Sequence, residues 1–499
     1  MEKTKSHFTI FENKQLKYKR LGLTSPSQIK SFKRKIKSLN RHFKKKKQDG
    51  TKQDLLSSFG RGETGLFKFL NKGIKATQFV GVARISNKTI TVLPKIFSPS
   101  KITKPSEDKA HDEIDANTIK DNIRVFMYML DVAHFFKNIK QLPVGSFDKI
   151  KEMFEFIIRI FANNLFDELK RGVANEYITI EENRPYLKGK LIIKKQILFN
   201  VVNKARFYCE HDEYFCNTIL NQAFKQAATI LHVVTRVSGN KRILGYIINM
   251  LEDVDNRHLT PAELNRVKFS RTSERFKPDF TIASQIIQNA TYLAVKGKLE
   301  TFSFMFDMNL LFERFIAQVI QRHSDLIFEG RKINNITNQH HDLHLFKDKE
   351  NNKAIFLKPD IFIEFDNLWL IIDTKYKKIN DENGIKHNIT PRDAYQVYAY
   401  YHAYLSQLIE KNKSKPLVKI LLLYPFHLDN TFAYDPFINK YTFSCTSYFK
   451  DSLAIPFSND VQIYVAVIEL KCNENAKKNC NAYSLSIAEK IKKIMQGMK

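Results

Sequence analysis

Two short apolar runs separated by two polar residues give the strongest constraint on how this chain can fold. Residues 361–365 and 368–372 are rich in isoleucine, leucine and phenylalanine, and Asp366-Asn367 lies between them. This pattern predicts a β-hairpin with a two-residue turn. In that register Asp360 lies directly opposite Asp373.

The two opposed aspartates need a compensating positive charge. Directly paired strand residues have Cβ atoms about 4.5–5.5 Å apart, and like charges at that position are destabilising. A divalent metal ion is the natural counter-charge, and Mg²⁺ prefers carboxylate oxygens. Lys375, two residues after Asp373, projects from the same face of the strand. Two acids, a metal ion and an amine suit phosphodiester hydrolysis; the alternative is a plain hairpin with solvated charges at its ends.

A helix predicted after this hairpin adds two polar side chains. Thr390 fits an N-cap and Pro391 fits the first helical position. The helix then carries Gln396 and Tyr400 on one face. These side chains either bridge a phosphate and the lysine or belong to a tyrosine-rich packing surface.

A second predicted helix, over residues 308–323, precedes the hairpin and carries Glu313 at the border of its apolar stripe. A half-buried glutamate is either paired or functional. Glu313 therefore either completes a metal shell as a third acid or forms an ion pair with a base such as Arg314.

Basic residues are concentrated at the N-terminus. The chain has 81 Lys and Arg against 52 Asp and Glu, and residues 1–50 alone contain 16 basic and 3 acidic residues. Apolar residues at helical spacing from 29 to 43 predict a basic amphipathic helix. It is a phosphate-contacting arm, a membrane-surface helix or a solvated helix. The first alternative predicts DNA contacts by Lys33, Arg34, Lys37 and Arg41.

Composition divides the chain into three domains of a multidomain α+β protein. Alternating β-branched residues predict a hairpin over residues 79–97, which ends a basic N-terminal domain over 1–97. Residues 98–121 are polar, contain two prolines and predict a linker. Residues 122–300 show mainly helical periodicity, and the mixture of helical and β-rich runs in 301–499 predicts an α/β unit.

Several classes of protein and site are disfavoured. No apolar stretch is long enough to predict a membrane-spanning helix and no signal sequence is apparent, so we expect a cytoplasmic location without membrane contact. The residues from Cys209 to Cys216 include possible metal ligands but lack zinc-site spacing, so a loop is predicted there. No phosphate-binding motif G-x-x-x-x-G-K-S/T occurs, so nucleotide hydrolysis is expected of a partner.

Several segments together resemble a known nuclease family. Residues 357–360 (LKPD), 372–377 (IDTKYK) and 393–400 (DAYQVYAY) resemble the PD-(D/E)xK motif followed by Q-x-x-x-Y. More narrowly, the chain resembles McrC, the nuclease subunit of McrBC restriction systems. The similarity covers most of residues 79–425 and includes the segments 79–82, 93–96, 186–190, 209–225, 308–313 and 422–425.

The resemblance implies a Mg²⁺-dependent endonuclease for double-stranded DNA, with a C-terminal α/β PD-(D/E)xK domain built on a mixed central sheet. It implies an McrB-like AAA+ GTPase partner, which binds GTP and reads 5-methylcytosine or a DNA sequence. It also implies that this subunit stimulates GTP hydrolysis by the partner and that the complex acts in defence against foreign DNA. The motif match gives Asp360, Asp373 and Glu313 as catalytic metal-binding acids, Lys375 as catalytic lysine, and Gln396 and Tyr400 as supporting residues. Lys188 and Lys190 are further candidates for DNA contact.

A function from a different class is a noncatalytic DNA-binding adaptor of an AAA+ NTPase, in which the acid pair is structural. A purely structural hairpin does not need two acids and a lysine that converge, which argues against the adaptor. The substitution Asp373→Ala separates the hypotheses, because only a nuclease loses cleavage while it keeps DNA binding and partner stimulation.

Overall fold

The chain forms two compact units, each assembled from separate stretches of sequence. Unit 1 comprises Met1–Val82, Asn87–Lys151 and Met305–Lys499, and unit 2 comprises Ala83–Ser86 and Glu152–Phe304. The computed structural model describes residues 7–45, 65–95, 116–133, 153–292, 299–338, 343–347, 353–377, 390–410, 417–426, 437–442, 461–472, 475–477 and 479–498. The domain borders expected at 97, 121 and 300 stay predictions, and residues 98–115 of the expected linker lie outside the described residues.

The N-terminal part of unit 1 combines short strands with a long helix. Its described elements are β1 (His7–Phe11), β2 (Gln15–Lys17), α1 (Pro26–Lys45), β3 (Phe67–Leu70), β4 (Gly73–Ala76), β5 (Phe79–Ile85), which ends in unit 2, β6 (Lys88–Leu93) and α2 (Ala116–Val132). β1 pairs in parallel with β6, which neighbours β5, and β4 pairs with β2 and β3 in a separate antiparallel sheet. The predicted hairpin is confirmed as β5 and β6, and the predicted basic helix is confirmed as α1.

Unit 2 combines helices with a small antiparallel sheet. Its described helices are α3 (Met153–Lys170), α4 (Ile193–Asn200), α5 (Ile219–Val234), α6 (Ser238–Met250), α7 (Pro261–Leu264) and α8 (Lys277–Asn289). Its strands are β7 (Glu176–Arg184), β8 (Lys190–Leu191), β9 (Phe207–Phe215), β10 (Ala290–Tyr292) and β11 (Leu299–Asp307), the last of which ends in unit 1. The helices α5, α6 and α8 pack together around α5.

The loop predicted from Cys209 to Cys216 is wrong, because most of that segment is strand. β9 pairs with β7 along nine residues, from Phe207 to Phe215. Alternate side chains at Cys209 and His211 are buried, while the charged residues between and after them are partly or fully exposed. The alternation of buried and exposed side chains that is typical of a strand is therefore present. It is hard to recognise in the sequence because a cysteine and a histidine, rather than aliphatic residues, occupy the buried positions.

The C-terminal part of unit 1 is built around a six-stranded mixed sheet. Its described elements are α9 (Met308–Arg322), α10 (Ser324–Ile327), β12 (Asn335–Asn338), β13 (Leu343–Lys347), β14 (Lys353–Leu357), β15 (Ile361–Glu364), β16 (Leu368–Thr374), α11 (Pro391–Glu410), β17 (Leu417–Pro425), β18 (Phe437–Thr442), β19 (Val461–Ile468) and α12 (Cys480–Gly497). The strand order is β12-β15-β16-β17-β19-β18. β16, β17 and β19 run parallel, and the other pairings are antiparallel.

Different helices cover the two faces of this sheet. α11 packs Val397, Tyr400 and Tyr404 against one face, where the ring of Tyr404 stacks on Phe362 at a centroid distance of 4.9 Å. α9 packs against β16 and α12. Because side chains alternate along a strand, Asp373 projects toward the same face as Ile371, which packs in the α11 cluster. In the described part of the chain, no helix is long and apolar enough to cross a membrane.

Candidate active site

The hairpin that carries the two aspartates has the register predicted from the sequence. β15 pairs antiparallel with β16, and Ile361 lies opposite Ile372 at the end of the ladder. Continuing this register by one residue brings Asp360 to the level of Asp373. The two-residue turn at Asp366-Asn367 therefore sets which residues meet at the far end of the hairpin.

Asp360 is fixed by the strand opposite it. Its Oδ2 accepts hydrogen bonds from the backbone N–H and the hydroxyl of Thr374, each 2.7 Å long. The side chain is half-buried. Close packing of protein around the carboxyl, followed by the negative charges of Asp373 and Glu313, raises its pKa well above the ordinary value. A nearby cation would remove this penalty on the charged form.

Asp373 is completely buried, and each of its oxygens has a defined neighbour. Oδ1 accepts hydrogen bonds from the Gln396 side-chain amide and the Tyr400 hydroxyl, each 3.2 Å long. Oδ2 forms an ion pair with the Lys375 ammonium. Burial raises the pKa of Asp373, and the charge and hydrogen bond of Lys375 oppose that rise. The carboxylate is therefore held in one orientation.

Gln396 connects the lysine to the tyrosine. Its Oε1 accepts a 2.9 Å hydrogen bond from Lys375 Nζ, and its Nε2 donates a 2.6 Å hydrogen bond to the Tyr400 hydroxyl. The Tyr400 hydroxyl also lies 3.2 Å from the carbonyl of Lys358, two residues before Asp360. Gln396 and Tyr400 lie on one helix face, as their spacing predicts, and Gln396 bonds to both Lys375 and Tyr400, while the supporting role of the two residues stays a prediction.

Local sequence explains why α11 starts where it does. The hydroxyl of Thr390 accepts a hydrogen bond from the Asp393 N–H at 3.3 Å, and Pro391 follows at the first helical position. The predicted helix start is confirmed. It fixes the helical turn on which Gln396 lies and hence its distance from the hairpin.

Glu313 lies on α9 and is half-buried. It is near enough to Asp360 for its negative charge to raise the pKa of that carboxyl. It also acts on Arg314, whose pKa burial lowers and the Glu313 charge raises. The structure thus brings Glu313 toward the acid pair and beside the arginine, so the metal-ligand role and the ion pair both stay predictions.

The residues present fit a magnesium ion better than a softer metal. All the candidate ligands are carboxylate oxygens, and Mg²⁺ is commonly held by one or two carboxylates with water completing its shell. Asp360 and Asp373 fit that requirement. Among the described residues, the three acid, histidine or cysteine donors that come within 4.8 Å of one another are Glu182, His211 and Glu213, so Asp360, Asp373 and Glu313 do not form such a group of three.

The group of Glu182, His211 and Glu213 in unit 2 is already neutralised by protein cations. Arg184 lies 2.5 Å from Glu182, and Lys188 lies 2.6 Å from Glu213. Hydrogen bonds from Lys188 and then His211 lower the pKa of Glu213 to about 2. A metal ion would have to displace both bases, so this group is a weaker metal site than the hairpin acids.

A buried acid beside the site, Asp393, was not singled out from the sequence. Its Oδ2 accepts hydrogen bonds from the hydroxyls of Thr390 at 2.8 Å and Tyr424 at 3.0 Å, and it pairs with Lys377 at 2.5 Å. Burial raises the pKa of Asp393, but these hydrogen bonds outweigh burial and the net pKa is lowered. A threonine followed three residues later by an acid is a capping pattern that could have identified it.

A second missed residue, Glu12, comes from the far end of the sequence. The Tyr376 hydroxyl donates a 2.7 Å hydrogen bond to Glu12 Oε1, which also accepts from the Lys95 N–H at 2.8 Å. Burial raises the pKa of Glu12, against the opposing charge of Lys95. Tyr376 directly follows Lys375, so Glu12 fixes the chain beside the candidate catalytic lysine. No local pattern points to a contact over this separation.

The basic residues predicted to contact DNA differ in how far their charges are already paired. Lys33 Nζ lies 5.4 Å from the centroid of the Tyr18 ring, and Lys188 is paired with Glu213. The side chain of Arg41 lies outside the described residues. Exposed side chains belong to Arg34, Lys37 and Lys190.

Known families give an independent comparison. Residues 74–425, more than two thirds of the chain, match the family described as McrBC 5-methylcytosine restriction system component. This chain belongs to that family. The McrBC match includes the hairpin acids, Lys375, Gln396 and Tyr400, and it starts after α1. The family resemblance inferred from the motifs is confirmed.

Solved structures of McrBC proteins are similar to this chain. One chain, from a refined half-complex of a tetradecameric assembly of Thermococcus gammatolerans McrB AAA+ hexamers with bound McrC, is 21% identical with a TM-score of 0.61. The alignment covers 96% of this chain and 99% of that one, so nearly the whole length shares a fold. A chain of the cryo-EM Thermococcus gammatolerans McrBC complex is 24% identical over 64% of this chain and 88% of that one, with a TM-score of 0.45. No curated protein matches this chain.

Proposed function

We propose that this McrBC family member is an McrC-type subunit, a Mg²⁺-dependent DNA endonuclease with a C-terminal PD-(D/E)xK domain. The observation that carries the proposal is the convergence of Asp360, Asp373 and Lys375 at one end of a hairpin, with Gln396 and Tyr400 bonded to them. A structural hairpin gains nothing from two opposed acids of which one is completely buried, because burial of like charges is unfavourable.

The proposed reaction is attack of water on a DNA phosphodiester, which breaks one P–O bond and leaves a proton on the departing oxygen. Bound Mg²⁺, held by Asp360 and Asp373, would supply charge neutralisation and an acidified water. Lys375, held between Asp373 and Gln396, donates a hydrogen bond to the attacking water or to a phosphate oxygen and stabilises the developing negative charge. Tyr400 keeps Asp373 oriented, since its hydroxyl contacts Oδ1.

We assign the GTP-dependent step to an AAA+ partner of the McrB type. The similar Thermococcus gammatolerans chain belongs to an assembly of McrB AAA+ hexamers with bound McrC. This chain contains no G-x-x-x-x-G-K-S/T motif, which fits hydrolysis by the partner. In this proposal the partner reads 5-methylcytosine or sequence, this subunit stimulates GTP hydrolysis, and the complex cuts foreign DNA.

The test is plasmid cleavage by this chain with its AAA+ partner, Mg²⁺ and GTP, using methylated and unmethylated DNA. Asp360→Asn is the informative variant, since asparagine keeps an oxygen for the hydrogen bonds from Thr374 and removes the charge. Asp366→Asn is the matched control because Asp366 is exposed in the turn at the other end of the same hairpin.

We expect Asp360→Asn to lose cleavage and to keep DNA binding and GTPase stimulation, while Asp366→Asn behaves like the wild type. Equal cleavage by Asp360→Asn would refute the metal-site assignment. Wild-type protein that binds DNA and stimulates its partner without cutting either plasmid would support the noncatalytic adaptor.

A further inference from the structure

The helix α1 separates an apolar side from a basic side. Phe32, Ile36 and Leu39 are buried in unit 1, with exposures of 5%, 0% and 1%. The 20-residue helix contains eight Lys and Arg residues and no Asp or Glu. Asn40 anchors the helix further, because its side chain donates to the Phe67 carbonyl at 2.8 Å and accepts from the Phe67 N–H at 3.3 Å. The basic side is therefore carried on a fixed element.

Four basic residues form a single row on the outer side of this helix. Lys30, Arg34, Lys37 and Arg41 follow one another at intervals of four, three and four residues. At 3.6 residues per turn these positions share one face, on the side opposite the buried residues, and the row spans about 16 Å. We call these four residues the basic row. Lys33, one of the sequence-predicted DNA contacts, lies off this row and toward the Tyr18 ring.

Three charges of the basic row are available to a partner. Lys30, Arg34 and Lys37 are exposed, and within the described residues no acid pairs with any of them. Other basic residues considered for DNA contact are less available, since Lys188 pairs with Glu213. Exposed cations without neighbouring acids repel one another and attract a polyanion.

We propose that the basic row binds the sugar–phosphate backbone of double-stranded DNA without reading its sequence. This inference rests on the proposed nuclease function, for which DNA is the substrate. It adds a surface that binds this DNA. The spacing of the row, about 4.5–6 Å along the helix between neighbours, lets several side chains reach successive phosphates of one strand. Unit 1 carries both the row and the hairpin acids.

The structure argues against the membrane-surface alternative for this helix. A helix that lies on a membrane buries its apolar face among the lipids. In α1 that face is occupied by the protein core, since Phe32, Ile36 and Leu39 are buried. An acidic protein surface is the other ligand that such a row could bind, and the experiment separates it from DNA.

The experiment measures the affinity of the full-length chain for a short nonspecific duplex over a series of salt concentrations, in EDTA so that no cleavage occurs. The test variant replaces the basic row: Lys30→Gln, Arg34→Gln, Lys37→Gln and Arg41→Gln. The control variant removes the same charge from exposed residues elsewhere in unit 1: Arg331→Gln, Lys332→Gln, Lys471→Gln and Lys493→Gln. Fluorescence of the single tryptophan, Trp369, checks that both variants stay folded.

Each phosphate contact contributes about 0.9 to the slope of log affinity against log salt concentration. Loss of four contacts is therefore expected to reduce that slope by about 3 to 4 in the test variant, with a much smaller change in the control. An unchanged slope, or an equal change in both variants, would overturn the proposal. Loss of AAA+ partner binding with an unchanged slope would show that the row contacts protein.

Failure of this proposal and failure of the nuclease proposal give different results. The nuclease proposal fails if Asp360→Asn cuts DNA like the wild type, whatever the salt slope. The basic-row proposal fails if the slope is unchanged, even when Asp360→Asn is inactive. The cleavage assay and the salt-slope assay therefore test the two proposals separately.

Discussion

Removing the charge of Asp360 is expected to stabilise the metal-free protein while it abolishes cleavage. The pKa of Asp360 is raised by burial, then by the charges of Asp373 and Glu313. An unfolded chain ionises this carboxyl at the ordinary pKa of about 3.9. In the folded protein it holds its proton to higher pH. The free energy of unfolding therefore falls as pH rises above the ordinary value, until Asp360 is ionised in the folded state as well.

The size of the effect can be estimated from the spacing expected of directly opposed strand residues. Two unit charges about 5 Å apart, the spacing of directly opposed strand residues, repel by about 3 kcal/mol at an effective dielectric constant of about 20. The Lys375 ammonium beside Asp373 offsets part of this repulsion. We expect Asp360→Asn to raise the free energy of unfolding by about 1 to 3 kcal/mol at alkaline pH, and by less at acidic pH, where wild-type Asp360 is already neutral.

The position of the single tryptophan makes this measurement specific to the six-stranded sheet of unit 1. Trp369 lies on β16, and its ring contacts those of Phe362 and Tyr404 at centroid distances of 5.5 Å. Urea unfolding in EDTA, followed by tryptophan fluorescence over a pH series, gives the required free energies. Asp366→Asn serves as control. A loss of stability in Asp360→Asn, or a gain that does not grow with pH, would refute the charge-repulsion argument. Added Mg²⁺ should stabilise the wild type more than the variant.

Substitutions at three further residues test the groups that surround the acids. Tyr400→Phe removes the hydroxyl bonded to Asp373 and is expected to cost about 1 to 3 kcal/mol in the same unfolding assay, with slower cleavage. Asp393→Asn should cost about 2 kcal/mol near neutral pH. Because the folded pKa of Asp393 is lowered, this stabilisation exists above the unfolded pKa and disappears as pH falls through the folded value; a pH-independent difference would contradict it. Glu12→Ala should cost about 3 kcal/mol because it removes the buried acceptor of the Tyr376 hydroxyl, whereas Glu12→Gln keeps an acceptor and should cost less.

The hairpin of β15 and β16 could be predicted from the sequence because its constraints are local. The length of the turn and the alternation of side chains fix which residues face each other, and the structure has the predicted register. The same holds for the start of α11, where Thr390 and Pro391 carry a strong signal within a few residues. The helical spacing of Gln396 and Tyr400 places them on one face of α11, and the position of that helix brings this face toward Lys375.

The remaining features depend on contacts that no local pattern encodes. β9 was missed because its buried positions hold Cys209 and His211 rather than aliphatic residues. The contact between Glu12 and Tyr376 joins residues on separate stretches of unit 1. The outward face of α1 depends on which of its residues unit 1 buries; that face includes Lys30, whereas Lys33 lies toward the Tyr18 ring.

The hydrogen bond between Glu12 and Tyr376 also bears on when the candidate site can form during synthesis. The two residues are separated by 364 positions. At about 5 to 20 residues per second, a ribosome needs about 20 to 70 s to travel from one to the other. During that interval Glu12 has been synthesised, but Tyr376, to which it hydrogen-bonds in the folded protein, has not. A newly made chain therefore cannot complete the candidate site until most of the polypeptide has emerged, and a fragment starting at residue 301 would lack the acid that fixes Tyr376.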